Sequence, residues 1–410
     1  MLNQTNKALL GVLAHALFGE EQQNLNNINM KALLDEARAQ SVFGIVFSDI
    51  QNEISVSLDK KQFEYYNNMY MSELILNIQN HENHTEVGEL MDKYKIPYCI
   101  MKGVASASNY PEPSLRTMGD VDLIVKQEYM EKARSAIESI GYSTDEIDFK
   151  GKHIGYKREP LDILELHRSV NGVPDGKIGE LISQDIQQLY NNTVELDDFA
   201  RCRIPSRYSH GLIMLLHMIS HMTSEGIGLR HLCDWAVFVN SISNNEFVGL
   251  FSEKLNSFGL WKFAQIMTAT SEKYLGIEHK EWIESAELGD NLLEDVITDI
   301  LNGGNFGKKD LNRYREIKYI SNRNERTVDS KSVLLQAFDA VNKKACDDFR
   351  FIGKHRLLLP IGWLAEGGKY FGLLVTEKRK SKGTSKMLKE AAKRKNIYST
   401  MELFVDNQKI

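Results

Sequence analysis

Apolar residues along the chain follow two different periods, and the change between them marks a central segment. Near the start, Leu9, Leu13 and Leu17 recur at helical spacing, which predicts that residues 1 to about 95 form helices. The longest of these is predicted over 61–94. From about Pro205 the helical period returns, so helices are expected on both sides of the central segment.

Short apolar runs replace the helical pattern between residues 96 and 200. The runs at 98–101, 120–125, 149–158 and 161–166 are interpreted as buried strands. With the amphipathic helices between them, this order is typical of a small mixed sheet.

We therefore predict an α/β (α+β) fold in three regions. The boundaries are expected at 1–95 for an N-terminal helical region, 96–200 for the domain that holds the sheet, and 201–410 for a C-terminal helical region. At 410 residues the chain is long enough for two or three such units.

Two carboxylates open the second predicted strand, in the run Gly119-Asp120-Val121-Asp122. Side chains alternate between the faces of a strand, so Asp120 and Asp122 point the same way. Such a pair repels itself unless a cation lies between its members, and hard oxygen ligands suit Mg²⁺. A third carboxylate from the strand over 161–166 would complete the site. Asp162 and Glu165 are the candidates, and they face opposite sides of that strand.

Composition narrows the class of protein. The formal net charge is -6 and the four cysteines are scattered, so neither a general attraction to nucleic acid nor a disulfide framework is indicated. Residues 1–19 lack the features of a signal peptide, and no apolar stretch reaches the ~20 residues of a membrane span. We expect a cytoplasmic protein. The basic stretch at 378–395 is interpreted as a solvated helix face.

Several short motifs resemble those of a known family. They are Lys102-Gly103, Tyr110-Pro111, Leu115-Arg116, Asp120-Val121-Asp122-Leu123 and Glu165-Leu166-His167, followed by Leu229-Arg230 with Asp234 and by Gly304-Asn305-Phe306-Gly307. Together they resemble the bacterial family called uncharacterised nucleotidyltransferases, within the DNA polymerase beta superfamily.

The resemblance implies a metal-dependent transfer of a nucleoside monophosphate from a nucleoside triphosphate to an acceptor. Asp120, Asp122 and Glu165 would hold two Mg²⁺ ions, with Mn²⁺ as an alternative, since the family pattern places an acid just before Leu-His. The acceptor is expected to be a small molecule. An RNA- or protein-modifying enzyme and a non-catalytic nucleotide-binding protein are the alternatives.

Phosphate recognition departs from the wider superfamily, in which Gly-Ser opens the site on a short helix. Lys102-Gly103 holds that place here, and Ser106 follows. Lys102, Gly103, Arg116 and Gly119 are the candidate nucleotide-binding residues. Arg116 has a second interpretation, as the partner of one of the acids.

Two pairs with helical i,i+4 spacing lie further along the chain. His217 and His221 have a spacing compatible with zinc, but no H-E-x-x-H motif and no evident third ligand accompany them. A core helix and a wall of the active cleft remain the two interpretations. Arg230 and Asp234 are predicted to form an ion pair on their helix, or else to brace the substrate pocket.

Overall fold

The computed structural model describes most of the chain: residues 2–147, 153–159, 162–284, 288–309, 321–322, 327–328 and 384–405. Its helices are α1 (Gln4–Phe18), α2 (Met30–Ala39), α3 (Phe43–Asp49), α4 (Gln51–Ser57), α5 (Lys60–Lys93), α6 (Val104–Ala107), α7 (Met130–Ser139), α8 (Lys177–Ile186), α9 (Arg207–Met222), α10 (Leu229–Asn240), α11 (Asn244–Ser257), α12 (Trp261–Leu275), α13 (Asp290–Gly303) and α14 (Thr384–Thr400). Its strands are β1 (Tyr98–Ile100), β2 (Val121–Val125), β3 (Ser143–Ile147), β4 (His153–Arg158), β5 (Asp162–His167), β6 (Thr193–Leu196), β7 (Cys202–Pro205), β8 (Ser321–Asn322) and β9 (Thr327–Val328).

The central sheet has five strands in the order β1-β2-β5-β4-β3. Strands β2 and β5 run parallel, while β1–β2, β4–β5 and β3–β4 are antiparallel. The parallel register places Asp122 opposite Glu165. A mixed sheet of this kind therefore brings residues from distant parts of the sequence to one edge.

Polar caps define where the helices that build the site begin. Asp59 accepts a hydrogen bond from the backbone N–H of Gln62 at the start of α5, and Ser206 caps α9 through the N–H of Ser209. Each cap satisfies a backbone donor that has no partner within its helix. The long helix predicted over 61–94 agrees with α5 to within a residue at each end.

The buried apolar residues of the described chain form two hydrophobic cores. One contains buried residues of α1, α2 and α3 together with residues of α9, α10, α12 and α13, so both helical regions share it. The other packs the end of α5 and helix α7 against the sheet through residues such as Val87, Ile137 and Leu123. The predicted α/β fold with large helical regions is confirmed.

Two details of the fold differ from the prediction. Strand β3 was not expected, because its sequence, Ser-Thr-Asp-Glu-Ile, lacks an apolar alternation; pairing with β4 places it at the edge of the sheet. Asp120 lies just before β2 rather than within it. None of the helices in the described part of the chain combines the length and the apolar character that a membrane crossing requires.

Candidate active site

Three carboxylates converge where β2 and β5 lie side by side. Asp122 is the second residue of β2, Glu165 faces it from β5, and Asp120 precedes β2. Each of the three offers an oxygen, and these oxygens all lie within 4.8 Å of one another. The structure thus brings together the three carboxylates that the sequence analysis named, Asp120, Asp122 and Glu165.

Two basic side chains already contact this acidic group. The Nζ of Lys102 lies 2.8 Å from Oδ1 of Asp122. The Nε2 of His167 lies 3.0 Å from the same oxygen and 3.1 Å from Oε2 of Glu165. His167 is fully buried, so it acts as an internal donor that links the carboxylates of the two strands.

These contacts divide the acids into two kinds. Burial would raise the pKa of Asp122, but Lys102 and His167 hold it well below its usual range. The hydrogen bond from His167 lowers the pKa of Glu165. Repulsion from Asp122, helped by burial, instead raises the pKa of Asp120 from 3.8 to about 6. The acidic group therefore carries more negative charge than Lys102 and His167 neutralise. Asp120 is the acid that this repulsion makes easiest to protonate.

Asp162, the rival third carboxylate, lies away from the group. Its Oδ2 accepts a hydrogen bond of 2.8 Å from Nε of Arg158, and its Oδ1 accepts one of 2.6 Å from Nδ2 of Asn83. Arg158 also binds Glu86 at 2.6 Å. Asp162 thus belongs to a network that ties β4 and β5 to α5, and Glu165 is the acid that meets Asp120 and Asp122.

The two candidate glycines differ in what their positions require. Gly103 has a φ of +62°, and a Cβ there would lie 2.6 Å from Nε2 of His84. Both the backbone conformation and the close approach of His84 demand glycine. Gly119 has no such constraint, because a Cβ would meet nothing within 4 Å. Ser106 lines the same cavity, but its hydroxyl lies 3.2 Å from Nε2 of His210.

Arg116 is held by a carboxylate and is only 6% exposed. Its Nε and Nη2 donate to the two oxygens of Asp234, each at 2.7 Å, and the hydroxyl of Tyr110 donates to Oδ1 of Asp234 at 2.7 Å. The predicted ion pair between Arg230 and Asp234 is therefore wrong. A bidentate pair with Arg116, 118 positions away in the chain, takes both carboxylate oxygens instead.

Arg230 lines the cavity with hydrogen-bonding capacity to spare. Its Nη1 donates to the carbonyl oxygen of Thr117 at 3.2 Å, and its guanidinium lies 5.6 Å from the ring centre of Phe306. Its Nε has no hydrogen-bond partner in the part of the chain that the structure describes. Burial lowers the pKa of Arg230, which reflects a buried cation without a paired carboxylate. The sequence signal for this role was its place in the Leu229-Arg230 motif.

A third histidine joins the pair on α9. The Gly226–Gly228 turn returns the chain so that His231, on the first turn of α10, meets His217 and His221. The ring centres lie 4.4 to 5.7 Å apart. Sequence reasoning missed His231 because helical spacing relates residues within one helix, and this contact joins two.

One cavity of about 420 Å³ is lined by the three carboxylates, by Lys102 and Arg230, and by the three histidines. We call Lys102, Asp120, Asp122 and Glu165 its strand wall, and His217, His221, Arg230 and His231 its helix wall. The Arg116–Asp234 pair also lines the cavity and connects the segment before β2 to α10. A volume of this size suits a small-molecule ligand.

The comparisons with known proteins agree with this geometry. A family model described as uncharacterised nucleotidyltransferase matches residues 26–276. The match includes the central sheet and both walls of the cavity. No curated protein matches the chain.

Proposed function

We propose, given that the chain belongs to the family of uncharacterised nucleotidyltransferases, that it transfers a nucleoside monophosphate from a nucleoside triphosphate to a small-molecule acceptor in a metal-dependent reaction. The observation that carries the proposal is the convergence of Asp120, Asp122 and Glu165 in one cavity. The raised pKa of Asp120 supports it, because a site with uncompensated negative charge favours a bound cation.

Asp120, Asp122 and Glu165 fit a hard divalent ion, since all three offer carboxylate oxygens and none offers sulfur or nitrogen. We assign two Mg²⁺ ions to them, with Mn²⁺ as the alternative. Bound there, the metal would supply positive charge for the triphosphate and lower the pKa of the acceptor's hydroxyl. Without a metal, Lys102 and His167 supply the positive charge beside Asp122 and keep its carboxylate ionised.

Residues of the chain are assigned to the remaining tasks. Attack of the acceptor oxygen on the α-phosphorus breaks the bond to the β-phosphate, and pyrophosphate leaves. Glu165, whose side chain is 29% exposed against 3% for Asp122, is more accessible than Asp122 to an incoming hydroxyl, so we assign the acceptor's proton to it. Lys102 and Gly103 remain candidates at the triphosphate, with Gly119 beside the acids.

The proposal shifts phosphate recognition from Arg116 to Arg230. The guanidinium of Arg116 donates two hydrogen bonds to Asp234. Arg230 faces the cavity without an ion pair to any described carboxylate, and its Nε has no partner among the described residues. A guanidinium is well shaped to bind phosphate oxygens. Arg230 could therefore contact the triphosphate from the helix wall while the carboxylates act from the strand wall.

Two observations favour a small acceptor over nucleic acid. The net charge is -6, which gives no general attraction to a polyanion. Within the basic stretch at 378–395, Lys393 and Arg394 pair with Asp295 and Asp299 of α13 at 3.0 and 2.8 Å. These cations hold α14 in place. Residues 378–383 of the stretch lie outside the described residues.

The experiment that tests the proposal follows label from the α-phosphorus of each nucleoside triphosphate in the presence of Mg²⁺. Acceptor pools are offered separately: hydroxyl- and phosphate-bearing small molecules, RNA, and protein. Labelled product in the small-molecule pool, with stoichiometric pyrophosphate, is expected. Label in RNA or protein would assign the chain to one of the alternative acceptor classes.

Matched variants then locate the activity. Asp122→Asn and Glu165→Gln are expected to lose roughly 100-fold or more of the rate, since even groups that only orient a metal ligand cost 10–100-fold. Asp162→Asn is the control, because Asp162 lies on the same strand but binds Arg158 and Asn83. Rates equal to that of the parent protein in all three variants would rule out the proposed site.

A further inference from the structure

The helix wall contains a cluster of nitrogen ligands separate from the carboxylates. His217, His221 and His231 each offer a ring nitrogen, and these nitrogens all lie within 4.8 Å of one another. His217 and His221 share a face of α9 by their i,i+4 spacing, and α10 supplies His231. No carboxylate of the strand wall belongs to this group.

His231 lacks the hydrogen-bond partners that buried histidines normally have. His231 is only 4% exposed, yet neither of its ring nitrogens has a hydrogen-bond partner among the described residues. A buried polar group without a partner costs free energy. The three rings instead face one another and the ring of Phe306, which lies 4.8 Å from His221 and 5.6 Å from His231.

The protonation state of the three histidines suits a metal ligand set, and Glu225 offsets part of the positive charge of nearby Lys102 and Arg230. Burial lowers the pKa of all three histidines, so they are neutral imidazoles at neutral pH, the form that binds metal. Oε2 of Glu225 lies 3.4 Å from Nδ1 of His221, and Glu225 also lines the cavity. A carboxylate beside a metal-binding imidazole commonly fixes its tautomer.

From this arrangement we infer that His217, His221 and His231 form a second metal site, which binds a borderline divalent ion of the Zn²⁺ class and keeps a coordination position open toward the cavity. Imidazole nitrogen suits zinc, cobalt and nickel, whereas Mg²⁺ prefers oxygen. Three histidines with one open position are a known ligand set for zinc that contacts a substrate. An anionic or hydroxyl group of a ligand in the cavity would fill that position.

The geometry requires a small closure of the rings. Nitrogens bound tetrahedrally at about 2.0–2.1 Å to one ion are about 3.3 Å apart, so a pair as far apart as 4.8 Å must approach by up to about 1.5 Å. Side-chain rotation is sufficient for this, since the cavity lies on one side of the cluster. The inference does not depend on the proposed nucleotidyl transfer, because metal binding is measured without substrate.

The test is a titration of the full chain, freed of metal by a chelator, with Co²⁺ in the presence of excess Mg²⁺. Mg²⁺ occupies the carboxylates, and Co²⁺ reports its ligands through visible absorption. We expect one equivalent of Co²⁺ to bind, with visible absorption bands typical of a low coordination number. Zn²⁺ should displace it. His217→Gln and His231→Gln should weaken Co²⁺ binding by at least ten-fold.

Two controls separate this site from others. Asp120→Asn should retain the absorption, since it alters only the strand wall. His279→Gln should also retain it, because His279 lies by Glu272 outside the cavity and its side chain is 70% exposed. Loss of the bands in Asp120→Asn, or their retention in both cluster variants, would overturn the inference.

X-ray absorption at the zinc edge gives a measurement that needs no variant. The parent protein loaded with one equivalent of Zn²⁺ should show about three imidazole ligands. A spectrum of oxygen ligands only, or of thiolate sulfur, would place the ion elsewhere and refute the site. Failure of Zn²⁺ to bind at all would do the same.

Discussion

On the strand wall, the buried polar groups are charged and hold one another: Lys102 and His167 both contact Asp122. On the helix wall, buried His231 is neutral, and the half-buried Arg230 has no ionic partner among the residues that the structure describes. The strand wall thus has internal countercharges for part of its acid, and the helix wall has unfilled donor and acceptor positions. Both patterns occur within one cavity of about 420 Å³.

The difference indicates which ligand each wall is built for. Carboxylates that are partly neutralised by neighbours can exist without metal and still bind a hard cation when it arrives with its triphosphate. The imidazole of His231 and Nε of Arg230 have no hydrogen-bond partner among the described residues, so a ligand in the cavity would supply hydrogen bonds or metal bonds that they lack. Variants of the Arg116–Asp234 pair, which joins the walls, test this comparison first, and variants of each wall test it next.

The largest effect is expected from the pair that joins the walls. Arg116→Met leaves the carboxylate of Asp234 buried without its cation, and removing one partner of a buried pair costs about 3–5 kcal/mol. The free energy of unfolding, measured by denaturant titration, should fall by that amount. Exposed Arg201, which lies 2.5 Å from Glu89, is the matched control, and Arg201→Met should change stability by less than about 1 kcal/mol.

A second variant distinguishes this structural role from phosphate binding. In Arg116→Met/Asp234→Asn the unpaired charge is gone, so part of the lost stability should return. Triphosphate binding by the refolded double variant should remain close to that of the parent. If binding collapses while stability recovers, Arg116 contacts the nucleotide after all.

Arg230 is expected to give the next largest effect, on binding rather than on folding. Arg230→Gln removes a charged donor from the helix wall and should weaken triphosphate binding by about 1.5–3 kcal/mol, the scale of a hydrogen bond to a charged group. Isothermal titration with a non-hydrolysable triphosphate measures the change. Arg207→Gln is the control, since Arg207 pairs with Glu246 at 2.7 Å on the surface.

A substitution of Lys102 tests the difference between the two walls from the side of the strand wall. Because Lys102 is bound to Asp122, Lys102→Ala should weaken triphosphate binding and also raise the pKa of Asp122. Arg230→Gln should leave that pKa unchanged. Carboxyl resonances in an NMR titration separate the two outcomes, and an identical response to both substitutions would contradict the division into two walls.

Local patterns predicted Asp120 and Asp122 on the strand wall, and they left His217, His221 and Arg230 of the helix wall with two interpretations each. Asp120 and Asp122 lie two residues apart, and strand parity places them on one side. Glu165 needed a family pattern to separate it from Asp162, and the structure shows Asp162 bound to Arg158. The parallel register of β2 and β5 explains why the prediction of Glu165 agrees with the geometry.

Tertiary contacts account for what sequence reasoning missed. Spacing of i,i+4 suggested Asp234 as the partner of Arg230, but the buried fork of Arg116 pairs with it in the folded chain. The third histidine, His231, reaches the pair on α9 only through the turn between the helices. Neither partner is a sequence neighbour, so no periodicity could have shown it.

The smallest predicted effect concerns the charge of Asp120. Three clustered acids suggest that each amide variant should relieve repulsion, but the structure divides them. Lys102 and His167 stabilise ionised Asp122, so Asp122→Asn should lower stability without metal at neutral pH. Asp120 is the acid whose pKa repulsion raises to about 6. Asp120→Asn should therefore raise stability, by about 1–2 kcal/mol after allowance for solvent screening.

The pH dependence gives the sign of this effect. Because the pKa of Asp120 is higher in the folded chain than its ordinary 3.8, its contribution to stability is complete below about pH 4 and is lost as the pH rises through about 6. Asp120→Asn has no such loss, so its advantage over the parent should be near zero at pH 4 and constant above pH 7. Added Mg²⁺ should reverse the order at pH 8, because only the parent keeps all three ligands. Thermal melts at each pH with and without Mg²⁺ measure the difference, and a pH-independent advantage would mean that Asp120 is not repelled by Asp122.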